Sequence, residues 1–466
     1  MLALELIDSG LLLARARGET GEVLAEVPGF AVLDDDRTRT GSEAAERVRL
    51  KPLLAHSNFW RGLSTDQITR PSRLVRTTAD IAFAQAEAML APYKAEGESI
   101  LLAVPAGYSR EQLALLIGVI NETGVNVAGL VDAALAACSL EPAPPRVLHL
   151  DLELHQAILT VLEYSGGERS GLKRSRYEIA LRHGVLDIQQ TLLQFIAETF
   201  IRKTRFDPLH DASTEQRLVD RLPAWLGELR EQERITVSME FGDRPLEIEI
   251  ERAELVAAVE RHYAELLRLV QSARVAGMQI ELRLSPRIAV FPGLLDRLGT
   301  LRDCEIRELP RGAAAMGTLQ HQATISRPDS LALVYHLPIA RAAGEAATAA
   351  EPEATPAPLR PTHLLFQGRA WRISEQPLVI GWSVGTERRS LTLPSASPGL
   401  SRAHCTVVRR NGAVMVEDHS TYGSYVNEER VAGRTALTVG DRLRLGSPGV
   451  TLELIQLVND DGAPQD

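Results

Sequence analysis

The chain has 466 residues, 45% of them hydrophobic and 24% charged, and 51 Lys and Arg against 61 Asp and Glu give a net charge of −10. These values are typical of globular proteins with about two to four domains, and they disfavour bulk binding to nucleic acid or to an anionic membrane. Three scattered cysteines without a paired spacing indicate a reducing compartment and predict no metal site. Glu5 and Asp8 interrupt the only early apolar run, so we expect no secretory signal. No apolar run reaches the ~20 residues of a membrane span, and we therefore expect a cytoplasmic protein.

The first part of the chain predicts alternating strands and helices. Residues 1–20 are expected to form two strands around a turn at residues 8–10, followed by a third strand over 24–33. Ser42 is a predicted helix cap, and Thr78 to Ala91 has the spacing of an amphipathic helix that ends at Pro92. Next come a buried strand, a helix capped by Ser109, a short strand and a small-residue helix, over residues 99–105, 109–123, 125–131 and 133–138.

The middle of the chain continues this alternation. Strands over 146–150 and 157–163 are predicted to form a hairpin, with Asp151 at the end of the first strand. The other predicted elements are helices over 185–205, 218–232, 254–273, 292–301 and 312–319, and strands over 236–241, 246–250, 280–284 and 325–337. Such a mixture predicts layers of α/β architecture.

A change of composition separates this α/β region from the C-terminal part. Residues 341–360 are rich in Ala, Pro and Glu and contain no aromatic residue, so this segment is expected to be a flexible linker. We therefore predict an α/β domain over 1–338, a linker over 339–360, a second domain over 361–458 and a flexible tail over 459–466.

The stretch over residues 401–427, SRAHCTVVRRNGAVMVEDHSTYGSYVN, contains the most informative motifs. Two strand-like runs, 405–409 and 413–417, flank Asn411-Gly412, which predicts a hairpin with a type I′ turn. The polar clusters before and after this hairpin then lie in loops at strand ends, where all-β domains usually carry binding residues.

These motifs resemble the forkhead-associated (FHA) domain over roughly residues 360–458. SRAH, DHSTYGSYVN and a Gly-Asp pair followed by a strand occur in the family's order. The resemblance implies an all-β sandwich that binds phosphothreonine peptides. It implies phosphopeptide contacts for Ser401, Arg402 and Thr421. It implies architectural roles for Gly381, His404, Gly423 and Asn427.

One position departs from the FHA pattern. The family's phosphate-binding arginine falls on Trp382, and an indole offers a single N–H where a dianion needs charge-assisted bonds. Phosphothreonine binding would therefore require Arg388, Arg389 or Arg402 to replace the missing arginine. The alternative is a sandwich that is kept for another protein contact.

The α/β region resembles the actin, sugar-kinase and heat-shock chaperone ATPase fold over roughly residues 1–320. The segment VPAGYSREQLALLIGVINETGVNVAGLVDAALAA, residues 104–137, carries the resemblance best, and later elements match in order. The resemblance implies two lobes around an ATP and Mg²⁺ site. It places Asp8, Gly10 and Asp151 at nucleotide-binding positions.

The phosphate-binding motifs of that fold are altered in this sequence. The first hairpin reads DSGLL, where leucines replace the expected hydroxyl residues. The second reads DLELHQ, which lacks all three expected glycines and adds Glu153. The expected later double glycine falls on Pro286-Arg287. Side chains at these positions oppose close approach of a phosphate to the backbone, so we expect a pseudo-ATPase without cofactor or metal.

The sequence therefore favours a non-catalytic scaffold that joins an actin-like pseudo-ATPase body to an FHA-like protein-binding module. Its expected partners are proteins, including phosphothreonine proteins if an arginine compensates at Trp382, and not nucleic acid or membrane. Two alternatives stay open: a phosphothreonine-dependent signalling adaptor, and an ATP-dependent chaperone-like ATPase.

Overall fold

The structure is a computed structural model of the chain. It describes residues 1–17, 20–34, 36–166, 170–241, 244–274, 279–326, 331–342, 361–366, 369–383, 389–393, 399–410, 413–427, 429–431, 433–446 and 449–455. The chain divides into two compact units, Met1–Glu345 (the first unit) and Ala346–Asp466 (the second unit). Among the described residues, no helix is both long enough and apolar enough to cross a membrane.

The first unit mixes strands and helices throughout its length. Its strands are β1 (Leu2–Glu5), β2 (Leu11–Arg17), β3 (Thr20–Val27), β4 (Ala31–Leu33), β5 (Thr38–Thr40), β6 (Ala55–His56), β7 (Ile100–Val104), β8 (Val127–Asp132), β9 (Arg146–Leu152), β10 (Gln156–Ser165), β11 (Gly171–Leu181), β12 (Arg234–Phe241), β13 (Arg244–Glu251), β14 (Ile280–Leu284), β15 (Cys304–Glu308), β16 (Leu333–Val334) and β17 (His336–Leu337). Its helices are α1 (Gly41–Ala45), α2 (Thr78–Leu90), a 3-10 turn (Ala91–Glu96), α3 (Arg110–Glu122), α4 (Ala133–Ala137), α5 (Val185–Thr204), α6 (Ala212–Glu231), α7 (Arg252–Ala258), α8 (Glu260–Ser272), α9 (Pro286–Ala289), α10 (Leu294–Leu298), α11 (Ala313–Gln320) and α12 (Gln322–Ile325).

Five strands in each of the two six-stranded sheets of the first unit follow one order, and the sixth strand is added at opposite ends. The first sheet runs β3-β2-β1-β7-β8-β16, and the second runs β17-β11-β10-β9-β14-β15. In both, a three-stranded antiparallel meander (β1–β3, β9–β11) continues through its first strand into parallel strands. The β1–β2 and β9–β10 turns therefore occupy equivalent places in the two sheets.

A short segment near the end of the first unit joins both sheets. β16 pairs in parallel with β8 of the first sheet, while β17 pairs antiparallel with β11 of the second. One residue, Tyr335, separates these two strands. Residues 333–337 therefore connect the outer strands of the two sheets.

The core of the first unit lies on the faces of these sheets. Helices α2 and α3 bury residues such as Ile81 and Ile120 with the first sheet, and α5 and α8 bury Phe200 and Tyr263 with the second. Small residues let α4 and α11 approach closely, since a Cβ at Gly317 would lie 1.9 Å from the Ala136 carbonyl oxygen. The alanine-rich stretches of the sequence therefore serve helix packing.

The second unit is a β-sandwich. Its strands are β18 (His363–Phe366), β19 (Arg369–Arg372), β20 (Leu378–Gly381), β21 (Ser390–Thr392), β22 (Cys405–Arg410), β23 (Ala413–Asp418), β24 (Ser424–Val426), β25 (Glu429–Arg430), β26 (Arg434–Leu437), β27 (Arg442–Leu445) and β28 (Val450–Ile455). They form sheets of order β19-β18-β28-β27-β24-β25 and β21-β20-β22-β23-β26. Alternate residues such as Ile380, Val407, Val416, Leu443 and Leu452 fill one core between them.

Several predicted elements need correction. The predicted strand over 24–33 is divided at Pro28-Gly29, because proline cannot donate to a strand ladder. Ser42 is not the cap of α1; Thr40 is the N-cap residue, and its side chain makes no capping bond. The helix predicted over 254–273 is interrupted at Val259, and strands β11 and β15 were not predicted.

Other predictions fall on residues outside those described. These are the Asn411-Gly412 turn, the linker from residue 343 to 360, and the tail over 459–466. The hairpin strands on either side of the turn are present as β22 and β23, with Arg410 paired to Ala413.

Candidate functional site

The β1–β2 and β9–β10 turns of the first unit bond directly to each other. The Asp8 carboxylate accepts the Leu154 backbone N–H at 2.7 Å, and the Ser9 hydroxyl donates to the Leu152 carbonyl at 2.5 Å. Two of the three residues expected at a nucleotide, Asp8 and Gly10, belong to the first turn. This turn is therefore held against the second by hydrogen bonds from within the chain.

Backbone donors of the β9–β10 turn have internal partners. Besides the Leu154 N–H, the Leu152 N–H donates to its neighbour Asp151 at 2.8 Å, and the Glu153 N–H donates to the Gln156 carbonyl at 2.9 Å. A phosphate bound in such a turn needs free N–H groups. These three N–H groups would have to leave their present partners first.

Arg287 lies between the two sheets and contacts both. It follows β14 of the second sheet, and its guanidinium donates to the Glu5 carboxylate and the Gly10 carbonyl of the first, each at 2.8 Å. A further bond of 3.3 Å reaches Asp151, whose other oxygen accepts from the Ser285 hydroxyl. A cation of the chain thus contacts Asp151 and Gly10, two predicted nucleotide-site residues.

The charges around Arg287 favour its ionised form. Burial alone would lower the pKa of Arg287, but Asp151 and Glu5 raise it above its usual value. Burial raises the pKa of Glu5, although the Arg287 charge opposes this shift. The arginine is therefore the internal counter-ion of two buried carboxylates.

A second pair of buried carboxylates lies beside the two turns. Burial raises the pKa of Asp8 to about 6, although the Leu154 N–H opposes the shift. Burial and the neighbouring Asp8 raise the pKa of Glu153 to about 8, although Arg61 and the Gln156 side-chain amide favour its ionised form. Burial and the neighbouring Asp8 thus favour the protonated form of Glu153, which replaces a glycine of the expected motif.

Two cavities of different volume lie beside these groups. A cavity next to Glu5, Asp151 and Arg287 measures about 30 Å³, room for roughly two waters. Ligand pockets commonly measure about 300–1,000 Å³. A second cavity of about 310 Å³ lies beside the turns. It is lined by Asp8, Asn58, Arg61, Glu153, His155, Gln156, Ile179 and Leu181.

The described residues contain no group of three or more His, Cys, Asp or Glu side chains that could hold a metal ion. His149 is buried, which lowers its pKa, and His155 shares a hydrogen bond of 3.0 Å with Ser57. Cys138 and Cys405 are buried free thiols. These side chains therefore serve packing and local bonding.

In the second unit, His404 joins two loops. Its Nδ1 accepts the Ser401 backbone N–H at 3.1 Å, and its Nε2 lies 3.1 Å from the Gly423 carbonyl, to which it can donate. The side chain is fully buried, and burial lowers its pKa, which favours the neutral ring that these two bonds require. His404 therefore fixes the 399–404 loop against the 419–423 loop.

The residues expected to contact a phosphopeptide come together above this histidine. The Ser401 hydroxyl oxygen accepts the Thr421 backbone N–H at 3.2 Å, so its own proton is available to a ligand. Thr421 and Arg402 are exposed. The Arg402 guanidinium carbon lies 5.8 Å from the centre of the Trp382 ring, within the range of a cation–π contact.

The other arginines proposed as replacements for the missing one differ in position. Arg389 donates to the Ser374 hydroxyl at 2.7 Å and also to the Arg372 carbonyl. Arg388 lies outside the described residues. Arg402 is thus the described arginine that adjoins Ser401.

Gly381 and Asn427 hold the backbone of this region. A Cβ at Gly381 would lie 2.0 Å from the Arg402 carbonyl oxygen, so the strand end and the loop require glycine there. Asn427, at φ 49°, donates to Asp441 at 2.7 Å and accepts the Arg442 N–H at 3.0 Å. Both residues act on loop geometry.

Sequence reasoning missed three contacts. They are the bonds of Arg287 to Glu5 and Asp151, the position of Arg61 at the larger cavity, and the contact of Arg402 with the Trp382 ring. All three bring together residues that are distant in sequence. Arg287 did carry a signal, because it stands where the predicted resemblance expects a glycine pair. An arginine at such a position is a reason to look for buried acids nearby.

Comparison with known families agrees with the second unit. The family model of the FHA domain matches residues 379–446, which include Gly381, the Ser401–His404 motif, Thr421, Gly423 and Asn427. The C-terminal FHA prediction is therefore confirmed, and FHA domains bind phosphothreonine-containing proteins. Among curated proteins, none matches the chain.

Proposed function

We propose that this protein is a non-catalytic interaction scaffold. Its FHA domain binds a protein partner, and its first unit is an actin-like pseudo-ATPase with two lobes. The observation that carries the proposal is the mutual bonding of the β1–β2 and β9–β10 turns, together with the Arg287 guanidinium placed between Glu5 and Asp151.

The repeated topology of the first unit supports the actin-like assignment. Actin-like ATPases resemble this chain in the order VPA strand, helix, short strand and small-residue helix, which here corresponds to β7, α3, β8 and α4. Two sheets that share the order of five strands, each with a turn after the first strand of its meander, agree with a two-lobed body. Fold alone does not imply activity, so the turns carry the functional argument.

The contacts in the turns argue against phosphate binding. A nucleotide would have to displace the Asp8 bond to the Leu154 N–H and separate Arg287 from Glu5 and Asp151. Breaking a buried ion pair costs about 3–5 kcal/mol. The space of about 30 Å³ beside these groups is too small for a nucleotide without this opening.

The FHA domain supplies the partner-binding surface of the proposal. Ser401, Arg402 and Thr421 are grouped in two loops that His404 holds rigidly. Rigid loops lower the ordering cost of binding a peptide. Trp382 changes the chemistry of the site without disturbing this frame, so a protein ligand is supported more directly than a phosphate dianion.

A second candidate is an ATP-dependent chaperone-like enzyme. The cavity of about 310 Å³ beside Asp8 favours this candidate, because its volume is at the lower end of the range for ligand pockets and the Arg61 side chain lines it. The buried acids Asp8 and Glu153 also line this cavity and would face the phosphates, which argues against an ATP-dependent enzyme.

Calorimetric titration of the full chain with Mg²⁺-ATP, combined with a phosphate-release assay, tests the two candidates. The scaffold proposal expects no saturable heat and no turnover above the background of the buffer. Saturable binding with turnover that Asp151→Asn abolishes would establish the enzyme instead. The same Asp151→Asn variant, checked by circular dichroism, controls for loss of fold.

A further inference from the structure

Trp382 and Arg402 lie next to each other on the surface that also contains Ser401 and Thr421, which we call the FHA surface. This pair changes what the FHA surface is able to recognise. Trp382 follows β20, and its backbone N–H lies 3.4 Å from the Ser401 carbonyl, while Ser383 donates to the Arg402 carbonyl at 3.2 Å. Gly381 permits this close approach of strand end and loop. The backbone segments that carry Trp382 and Arg402 are thus held next to each other by backbone bonds.

The cation–π contact with Trp382 restrains the otherwise flexible Arg402 side chain. Arginine loses much rotamer freedom when it forms a salt bridge, and contact with an aromatic face restricts it beforehand. The guanidinium carbon lies over the Trp382 ring at 5.8 Å from its centre, and the Arg402 side chain is exposed to ligands. Arg402 is therefore placed to bind an anion beside Trp382.

The described surface suits a carboxylate better than a phosphate dianion. A guanidinium edge binds the two oxygens of a carboxylate with two parallel bonds, and the neighbouring Ser401 hydroxyl adds a donor. A phosphate dianion needs more positive charge than the Arg402 guanidinium alone supplies. Position 382 is a tryptophan, and Arg389 bonds to Ser374 and Arg372. Trp382 and the exposed Tyr422 also offer apolar area to a peptide side chain.

We propose that this FHA surface binds an unphosphorylated peptide through a carboxylate, held by Arg402 on Trp382 with help from the Ser401 hydroxyl. The inference rests on the proposed role of the FHA domain in binding a protein partner. The carboxylate comes from an Asp or Glu side chain or from the C-terminus of the partner, two sources with the same chemistry.

Four peptide pools of otherwise random sequence distinguish these sources. Three pools have an amidated C-terminus and Glu, Thr or phosphothreonine at the centre, and the fourth has central Thr and a free C-terminus. Binding to the full chain is measured by fluorescence anisotropy. We expect the Glu pool or the free C-terminus pool to bind at least about tenfold more tightly than the amidated Thr pool.

Variants of the chain test the assignment to Arg402. Arg402→Gln should weaken carboxylate binding about tenfold or more, and Trp382→Ala should weaken it about threefold. Arg434→Gln is the matched control, because it removes an arginine of the same domain that pairs with Glu417. Trp382→Arg should shift the preference toward the phosphothreonine pool.

The outcomes separate this inference from the proposed function. Tighter binding of the phosphothreonine pool than of both carboxylate pools would overturn the inference and still support a protein-binding FHA domain. Binding to none of the four pools would overturn both for this surface. Carboxylate binding that Arg402→Gln leaves unchanged, or that Arg434→Gln weakens equally, would contradict the assigned contact.

Discussion

The Arg287 guanidinium donates to the Glu5 carboxylate at 2.8 Å, although the two residues are 282 positions apart in the chain. The bond connects helix α9, which follows β14 of the second sheet, to β1 of the first sheet. Asp151 is a further partner of the same arginine. A positive charge supplied by the chain thus stabilises the contact between the two sheets of the first unit.

Replacing Arg287 should destabilise the first unit strongly. Arg287→Met leaves the buried Glu5 and Asp151 without a counter-ion, so we expect a loss of about 3–5 kcal/mol in the free energy of unfolding. Urea denaturation followed by circular dichroism measures the change. Arg311→Met is the control, because its pair with Glu26 is at the surface and contributes about 0–1 kcal/mol. Equal losses in the two variants would contradict the role of Arg287.

Glu153 should make the first unit less stable as the pH rises. Its folded pKa of about 8 lies above the ordinary value of 4.5, so between these values the folded state holds a proton that the unfolded state has released. The contribution of protonated Glu153 to the free energy of unfolding is therefore fully present below pH 4.5 and is lost as the pH rises through about 8. At 1.36 kcal/mol per pKa unit, the loss has an upper limit of about 5 kcal/mol.

Glu153→Gln tests this pH dependence. The amide keeps the shape of the protonated acid, so unfolding free energies measured from pH 5 to pH 9 should change less than in the parent chain. The exposed Glu240→Gln is the matched control and should preserve the parent's pH dependence. A Gln variant with the parent's full dependence would show that Glu153 is ionised in the folded state.

Gly381→Ala should disrupt the FHA surface. The added Cβ would lie 2.0 Å from the Arg402 carbonyl oxygen, a backbone atom that cannot move without displacing the loop. We expect a lower melting temperature of the second unit and a loss of about 2 kcal/mol or more. Gly118→Ala in α3 is the contrasting control, because its Cβ meets open space and should stabilise the helix by about 0.5–1 kcal/mol. Similar effects of the two changes would contradict the close contact.

His404→Ala should separate the two loops of the FHA domain. It removes the bonds to the Ser401 N–H and the Gly423 carbonyl in a fully buried site, at a cost of about 1–3 kcal/mol. Ligand binding at Ser401 should fall with it. His419→Ala is the control, since that exposed ring bonds to the Thr406 hydroxyl. Unchanged binding in His404→Ala would mean that the loops hold their form without this side chain.

The sequence predicted the elements whose patterns are local. Ser109 caps α3 as expected, with its hydroxyl accepting the Gln112 N–H, and the 185–205 periodicity gives α5. The FHA motifs predicted the grouping of Ser401 and Thr421, because loop motifs of a known sandwich carry their positions with them. Strand β11, in contrast, alternates poorly and is held by pairing with β10, which a single sequence does not reveal.

The contacts on which the proposed function rests could not be predicted in the same way. Arg287 was recognised as the loss of a glycine, whereas its bonds to Glu5 and Asp151 depend on how two sheets meet. Trp382 was recognised as the loss of an arginine, whereas its contact with Arg402 depends on a backbone approach at Gly381. Sequence motifs indicated where the chain departs from the two resemblances, and the contacts at those positions depend on the folded structure.

Hydrogen exchange in the β9–β10 turn, measured on the full chain with and without Mg²⁺-ATP, tests the central claim most directly. The Leu154 amide is bonded to the buried Asp8 carboxylate, so residues 152–156 should exchange slowly without nucleotide, and faster in Asp8→Ala. We expect Mg²⁺-ATP to leave this exchange unchanged, because the two turns already bond to each other. Slower exchange in the presence of Mg²⁺-ATP would show that a nucleotide enters between the turns, and it would contradict the pseudo-ATPase.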